Sequence, residues 1–167
     1  MRSTLLPLLL LVPLIPLAAA DQVPLTKGDA TFLQKAALYN LVETRAATAA
    51  LERSLTAEEK AYAQEVVRQH TDAGRELSEL AKRKNVALDE TLPSDYQEEL
   101  ADLGAHGDRE FNERYLEQSI ARHQQAIRYL ESVSEDSHDV DLRNFADQGL
   151  IEVRKHLETA KRLEARY

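Results

Sequence analysis

Residues 120–130 read IARHQQAIRYL, and two other segments of the chain repeat the same arrangement around a histidine. In each segment an aliphatic residue stands three places before the histidine, Ala or Thr stands three places after it, and Leu stands seven places after it. These offsets place all four residues on one face of an α-helix. The pattern therefore predicts three helices that each turn one imidazole toward an apolar face, from His70, His123 and His156.

A fourth helix is predicted upstream, with Glu43 at the position that the histidines occupy in the other three. Asn40 precedes it by one turn, and Ala46 and Ala50 follow it. Each of the four positions lies near the middle of its predicted helix, so all four share one level in a bundle of helices of similar length. Because the adjacent turns carry small or aliphatic residues, this stripe is predicted to be buried. Four side chains that can bind a metal would then converge: Glu43, His70, His123 and His156.

The rest of the chain reads as helix with polar or glycine-containing breaks. Helices are predicted over residues 29–53, 56–84, 94–104, 108–133 and 139–167. Short connections make the first two long helices antiparallel, and likewise the last two. The short third helix lies in the longer connection between the two pairs. We therefore predict an all-α chain that forms a ferritin-like antiparallel four-helix bundle with a short extra helix in the crossover.

The first twenty residues have the composition of a secretory signal peptide. Arg2 provides a basic start, residues 5–17 are mostly apolar, and residues 18–20 are three alanines. We expect cleavage after Ala20, a linker over residues 21–28 and the bundle domain over residues 29–167. Prolines interrupt the apolar stretch, which excludes a membrane-spanning helix there, and no later segment of the mature chain is apolar enough for one.

The amino-acid composition limits the cellular locations and the binding partners that we expect for the protein. The chain has no cysteine, which excludes disulfides, thiolate ligands and a thioether lipid anchor. We therefore expect a periplasmic or secreted bacterial protein. A formal net charge of −8 argues against nucleic acid as a partner. The sequence does not identify a protein partner or an oligomeric state.

The proposed site also limits the chemistry. Di-iron bundles need Glu three residues before their histidines, whereas this chain has Val67, Ile120 and Val153 there. Glycine-rich phosphate loops, zinc-protease motifs and nucleophile elbows are absent from the sequence. Three imidazoles and a carboxylate suit one divalent metal ion, either Zn, Cu, Fe or Mn. Because four protein ligands tend to close a metal site, this set favours binding over catalysis, and we assign no catalytic residue.

Three functions remain open at this point. The first is a periplasmic metal-binding bundle that buffers metal or acts under envelope stress. The second is a structural or interaction bundle without a metal, in which Glu43 accepts hydrogen bonds from protonated imidazoles in a buried polar layer. The third is a mononuclear Fe or Mn oxidoreductase with an open coordination position. Stoichiometric metal would separate the first and third from the second.

Four segments of the chain match a pattern known from other sequences. They are residues 32–37 (FLQKAA) leading to Glu43, residues 70–77, Phe111 and Tyr115 leading to His123, and residues 145–157. Over residues 32–163 the chain resembles a family of exported bacterial proteins of unknown function, often labelled "predicted outer membrane protein". The resemblance implies a ferritin-like four-helix bundle and an exported location. In that family Asp often precedes the first two histidines, whereas this chain has Gln69 and Arg122 there.

Overall fold

The computed structural model describes residues 25–53, 55–89 and 91–167, and regular secondary structure in that part of the chain is entirely helical. The helices are α1 (Lys27–Leu51), α2 (Ala57–Arg83), α3 (Ser94–Gly104), α4 (Asp108–Asp136) and α5 (Val140–Glu164). The prediction of an all-α chain with four long helices and one short one is confirmed. The predicted signal peptide, residues 1–20, lies outside the described residues. Within the described ranges, every helix is too short or too polar to cross a bilayer.

Two capping boxes set the starts of the first two helices. The hydroxyl of Thr56 accepts from the backbone N–H of Glu59 at 3.3 Å, and the Glu59 carboxylate accepts from the Thr56 N–H at 2.8 Å. The box explains why α2 starts within one residue of the predicted start at residue 56. Helix α1 begins at Lys27, two residues earlier than predicted, because Thr26 and Asp29 form a second box of the same kind. Each box satisfies backbone N–H groups that the first turn leaves without partners.

The long helices pack as two pairs, α1 with α2 and α4 with α5, and the pairs meet through α1 with α4 and α2 with α5. At one end of the bundle, the hydroxyl of Ser137, just after α4, donates to Asp29 near the start of α1 at 2.7 Å. At the other end, Arg162 near the end of α5 pairs with Glu58 at the start of α2, also at 2.7 Å. Helix α3 lies against α4 and α1.

Apolar side chains fill the interior in two clusters, one toward each end of the bundle. The first comes from the early part of α1, the late parts of α2 and α4, and the early part of α5. The second comes from the complementary halves of the same four helices, together with Leu103 of α3. On every long helix the predicted site residue falls between the two clusters. A polar layer of Glu43, His70, His123 and His156 therefore divides the core at mid-height.

Candidate metal centre

Three histidines from three helices meet at the middle of the bundle. His70 comes from α2, His123 from α4 and His156 from α5, and one ring nitrogen of each lies within 4.8 Å of the other two. The ring centroids are 5.2 to 5.6 Å apart. The structure thus brings together three of the four side chains that the sequence pattern singled out.

The amide of Asn40 determines which nitrogen of His70 carries the proton. The Nδ2 atom of Asn40 donates to the carbonyl of Ala36 at 2.9 Å, so its Oδ1 atom is the one that faces His70 Nδ1, at 2.8 Å. Because an amide oxygen only accepts, a neutral His70 ring carries its proton on Nδ1. The Nε2 atom of His70 is then a lone pair, and it is buried without a hydrogen-bond partner among the residues that the structure describes.

The backbone of α4 has the same effect on His123. Its Nδ1 atom lies 2.7 Å from the carbonyl oxygen of Ser119, which only accepts. A neutral His123 ring therefore carries its proton on Nδ1, and its Nε2 atom accepts from Nδ1 of His156 at 3.2 Å. Within residues 25–53, 55–89 and 91–167, the buried Nε2 atom of His156 has no hydrogen-bond partner. Among the described residues, Nε2 of His70 and of His156 is therefore a lone pair without a partner, whereas Nε2 of His123 is a lone pair that accepts from His156. A ring-nitrogen lone pair is the form in which imidazole binds a metal, so a metal ion on His123 would displace that hydrogen bond.

Burial keeps two of these rings uncharged. Loss of hydration lowers the pKa of His70 to about 3, with the neighbouring imidazoles acting in the same direction and Glu43 opposing them. Loss of hydration and the nearby His123 ring lower the pKa of His156 to about 4. At neutral pH both rings are therefore unprotonated. Metal binding requires this state, since a protonated imidazole has no free lone pair.

Glu43 lies beside the three imidazoles and not among their converging nitrogens. Its Oε1 atom accepts from Arg122 Nε at 2.5 Å and is 4.0 Å from His123 Nδ1, on the side of the ring that Ser119 occupies. Burial by itself would raise the pKa of Glu43, but the Arg122 guanidinium, with His123 and His70, outweighs burial and holds the pKa below its usual value. Glu43 is therefore an ionised partner of Arg122, and its role as a metal ligand stays a prediction.

Arg122 is the residue of this site that the sequence pattern did not identify. It is only 7% exposed and bridges Glu43 to Glu99, whose Oε1 atom lies 2.6 Å from Arg122 Nη1. An arginine in the middle of an amphipathic helix is usually assigned to the solvent face. One signal was present in the sequence, because a carboxylate that is predicted to be buried needs a cation beside it.

Two cavities reach the histidines from the bundle surface. One of about 260 Å³ reaches His70 and His156 and has largely apolar walls. The other, of about 330 Å³, reaches His156 along the groove between α2 and α5. Gln69 and Glu152 line both cavities, and Gln69 Nε2 donates to Glu152 Oε2 at 2.5 Å across that groove. Small molecules and ions therefore have two routes toward the imidazoles.

Comparison with known proteins identifies the family and the fold. A family model described as "Domain of unknown function (DUF4142)" matches residues 15–163. Among solved structures, a crystal structure of a DUF305 fragment from Deinococcus radiodurans is similar, with a TM-score of 0.78, 17% sequence identity, and coverage of 87% of this chain and 100% of that chain. At that identity the likeness concerns the fold alone. No functionally curated protein matches the chain. The family match confirms the resemblance seen in the sequence, and the chain belongs to the DUF4142 family of domains of unknown function.

Proposed function

We propose that this protein is a metal-binding bundle that holds one divalent metal ion on Nε2 of His70, His123 and His156. The observation that carries the proposal is that one ring nitrogen from each of three helices converges within 4.8 Å, while hydrogen bonds hold Nδ1 of each ring and, among the described residues, leave Nε2 of His70 and His156 without a partner. Around Zn²⁺, with bonds of about 2.0–2.1 Å, ligand nitrogens lie roughly 3.3 Å apart. Since the present nitrogens lie within 4.8 Å of one another, modest side-chain rotation would close the set.

The charges around the imidazoles also favour a cation. Glu43 and Glu99 flank Arg122, so these three side chains carry one net negative charge. The Glu152 carboxylate adds negative potential near His156. Moving a divalent ion from water into a low-dielectric core costs free energy unless negative charge lies nearby. These carboxylates supply that negative charge.

Specific features of the site also support two alternative functions. Three imidazoles leave a fourth coordination position for water or a small ligand, as in catalytic zinc sites, which supports the mononuclear Fe or Mn oxidoreductase as an alternative. The structural polar layer is supported by the hydrogen bond between His123 and His156 and by the pairing of Glu43 with Arg122. If Glu43 instead completed the ligand set, the closed site would favour metal buffering.

Metal content separates these candidates. We expect residues 21–167, purified without a His-tag, to retain about one Zn²⁺ per chain after dialysis, measured by inductively coupled plasma mass spectrometry. His123→Ala should lose the ion because it removes a central ligand. His138→Ala is the matched control, because it removes an exposed histidine in the loop between α4 and α5 and should keep the ion.

A second variant tests the part played by Glu43. If the carboxylate only compensates charge, Glu43→Gln should bind metal about 10–100-fold more weakly, whereas loss of a direct ligand would abolish stoichiometric binding. No stoichiometric Zn²⁺, Cu²⁺, Fe²⁺ or Mn²⁺ in the unmodified chain, or full retention in His123→Ala, would contradict the metal-binding proposal. The structural polar layer would then be the better explanation.

We also propose that residues 1–20 direct export, which places the mature protein in the periplasm or the medium. The basic start, the apolar stretch and the alanines at positions 18–20 support this. We expect the protein in the periplasmic fraction to begin at Asp21, as read from its intact mass. Ala20→Arg should block cleavage and leave a larger precursor. A chain that keeps Met1 and stays in the cytoplasm would overturn the assignment.

Finally, we propose that the bundle has the ferritin-like antiparallel connectivity expected from the sequence. The contact between Asp29 and Ser137 joins the start of α1 to the end of α4, and the contact between Glu58 and Arg162 joins the start of α2 to the end of α5. Both contacts suit two antiparallel hairpins joined by a crossover that contains α3. A crystal structure of the metal-loaded chain would test this connectivity, and parallel α1 and α4 would rule it out.

A further inference from the structure

The side chains that line the cavity of about 260 Å³ suit a small aromatic molecule. Four aromatic side chains line it, from Phe32, Tyr39, Tyr129 and Phe145, and the small side chains of Ala73 and Ala126 leave space beside them. Phe32 packs against the rings of Tyr129 and Phe145, with centroids 5.8 and 6.1 Å away. The volume exceeds the roughly 150 Å³ in which an engineered apolar cavity binds benzene. A single six-membered ring with one substituent therefore fits.

Hydrogen-bond acceptors stand at the inner end of this cavity. His156 is 4% exposed, and both it and His70 line the cavity. In the described part of the chain, the Nε2 atoms of these two rings are buried and lack a hydrogen-bond partner. Since Nδ1 of each ring carries the proton, both Nε2 atoms can accept but cannot donate. A molecule that brings one donor to this end would satisfy a buried acceptor that is otherwise left without a partner.

We propose that this cavity binds a compact, uncharged aromatic molecule with one hydroxyl or N–H donor, a phenol-type ligand. Its ring would lie among Phe32, Tyr129 and Phe145, and its donor would bond to Nε2 of His156 or His70. The inference applies to the metal-free chain, because a metal ion on these Nε2 atoms would occupy the same acceptors. It adds a ligand class that the proposed metal site alone does not specify.

The charges at the cavity mouth select against an anionic ligand. Asp72, Glu76 and Glu152 line the mouth, and a carboxylate ligand would meet these like charges before it reached two further acceptors. Arg68 is the cation among the lining residues that the structure describes, and it already pairs with Glu65 and Asp72. An uncharged molecule with a hydrogen-bond donor is not repelled by the carboxylates at the mouth, and it can donate to the buried acceptors. Phenol is therefore a suitable probe, and benzoate is the matched anionic comparison.

The test uses chelator-treated, metal-free protein, so that its failure is distinct from failure of the metal-binding proposal. Calorimetric titration should give saturable phenol binding with a Kd at or below about 1 mM and no binding of benzoate. In ¹⁵N spectra of the histidine side chains, phenol should move an unprotonated imidazole resonance upfield, because that nitrogen accepts a hydrogen bond. Toluene has the same shape without the donor and should leave that resonance in place.

A cavity-filling variant supplies the structural control. Ala126→Leu places a larger side chain in the cavity and should weaken phenol binding at least about tenfold without lowering Tm. Ala121→Leu makes the same change at an exposed position of α4 and should bind phenol normally. If Ala126→Leu misfolds, Ala73→Leu fills the cavity from α2 instead. Absence of saturable phenol binding, equal binding to a folded cavity-filling variant, or an unmoved imidazole resonance would each overturn the proposal.

Discussion

Replacement of Arg122 by Met should lower the free energy of unfolding by about 3–5 kcal/mol at pH 7, because it leaves Glu43 charged and buried without its cation. The pair is almost inaccessible to solvent, with side-chain exposures of 8% and 3%, and its N–O distance is 2.5 Å. Methionine keeps most of the arginine stem, so the lost charge dominates the effect. Urea denaturation followed by circular dichroism measures the change.

Two further variants connect this loss to the ion pair. Arg68→Met removes an exposed arginine that pairs with Glu65 and Asp72 on the surface of α2, and it should cost far less stability, because solvent screens exposed ion pairs. Adding Glu43→Gln to Arg122→Met removes the unpaired charge and should restore much of the stability. If Arg122→Met costs no more than the surface variant, or the double variant shows no recovery, the ion pair does not stabilise the core as described.

Metal-free protein should lose stability steeply as the pH falls from about 6.5 to 4.5. The pKa values of His70 and His156 are about 3 and 4 in the folded chain, against 6.5 for an exposed imidazole. Between these limits the unfolded chain binds more protons, so acid favours unfolding. Each imidazole contributes at most about 1.4 kcal/mol per pH unit in that window. Above pH 6.5 both states are unprotonated at these rings, and their contribution to the pH dependence vanishes.

Between pH 6.5 and 4.5, the buried imidazoles contribute to the pH dependence of stability, whereas the buried carboxylate of Glu43 stays ionised. The pKa of Glu43 is lowered from 4.5, so its pairing with Arg122 is lost only at pH values below this window. Denaturation curves at several pH values should show a shallower slope for His156→Gln than for the unmodified chain. A stability that stays constant from pH 6.5 to 4.5 would be incompatible with two buried neutral imidazoles.

Local chemistry made most of the fold predictable from the sequence. The Thr56–Glu59 capping box gave the start of α2 because its two hydrogen bonds join residues three apart in the chain. The apolar spacing around each histidine gave the buried face of a helix, since that face depends only on helical periodicity. Where breaks were inferred from polarity alone, the prediction was less accurate. Helix α4 continues to Asp136, beyond the expected end at Val133, because polar residues without Gly or Pro need not end a helix.

The interior partners of the site were harder to predict because they come from contacts between helices. Ser119 lies one turn before His123, and its carbonyl contact follows from α4 alone. In contrast, Asn40 reaches His70 from another helix, and Arg122 reaches Glu43 from another helix. Those contacts depend on the rotation of α1 about its own axis relative to the adjacent helices. The helical periodicity of the sequence does not determine that angle. The same rotation places Glu43 beside the imidazoles and not among their nitrogens.

The arginine bridge between Glu43 and Glu99 has an electrical consequence for the whole polar layer. Arg122, Glu43 and Glu99 together carry one net negative charge, and a bound divalent ion would change the total to one net positive charge. The sign of the potential at the centre would therefore reverse on loading, without any proton leaving the rings. The metal-free layer would attract cations, and only the metal-bound layer would attract anions. Occupancy by the metal would thus determine which charge of small molecule approaches the centre next.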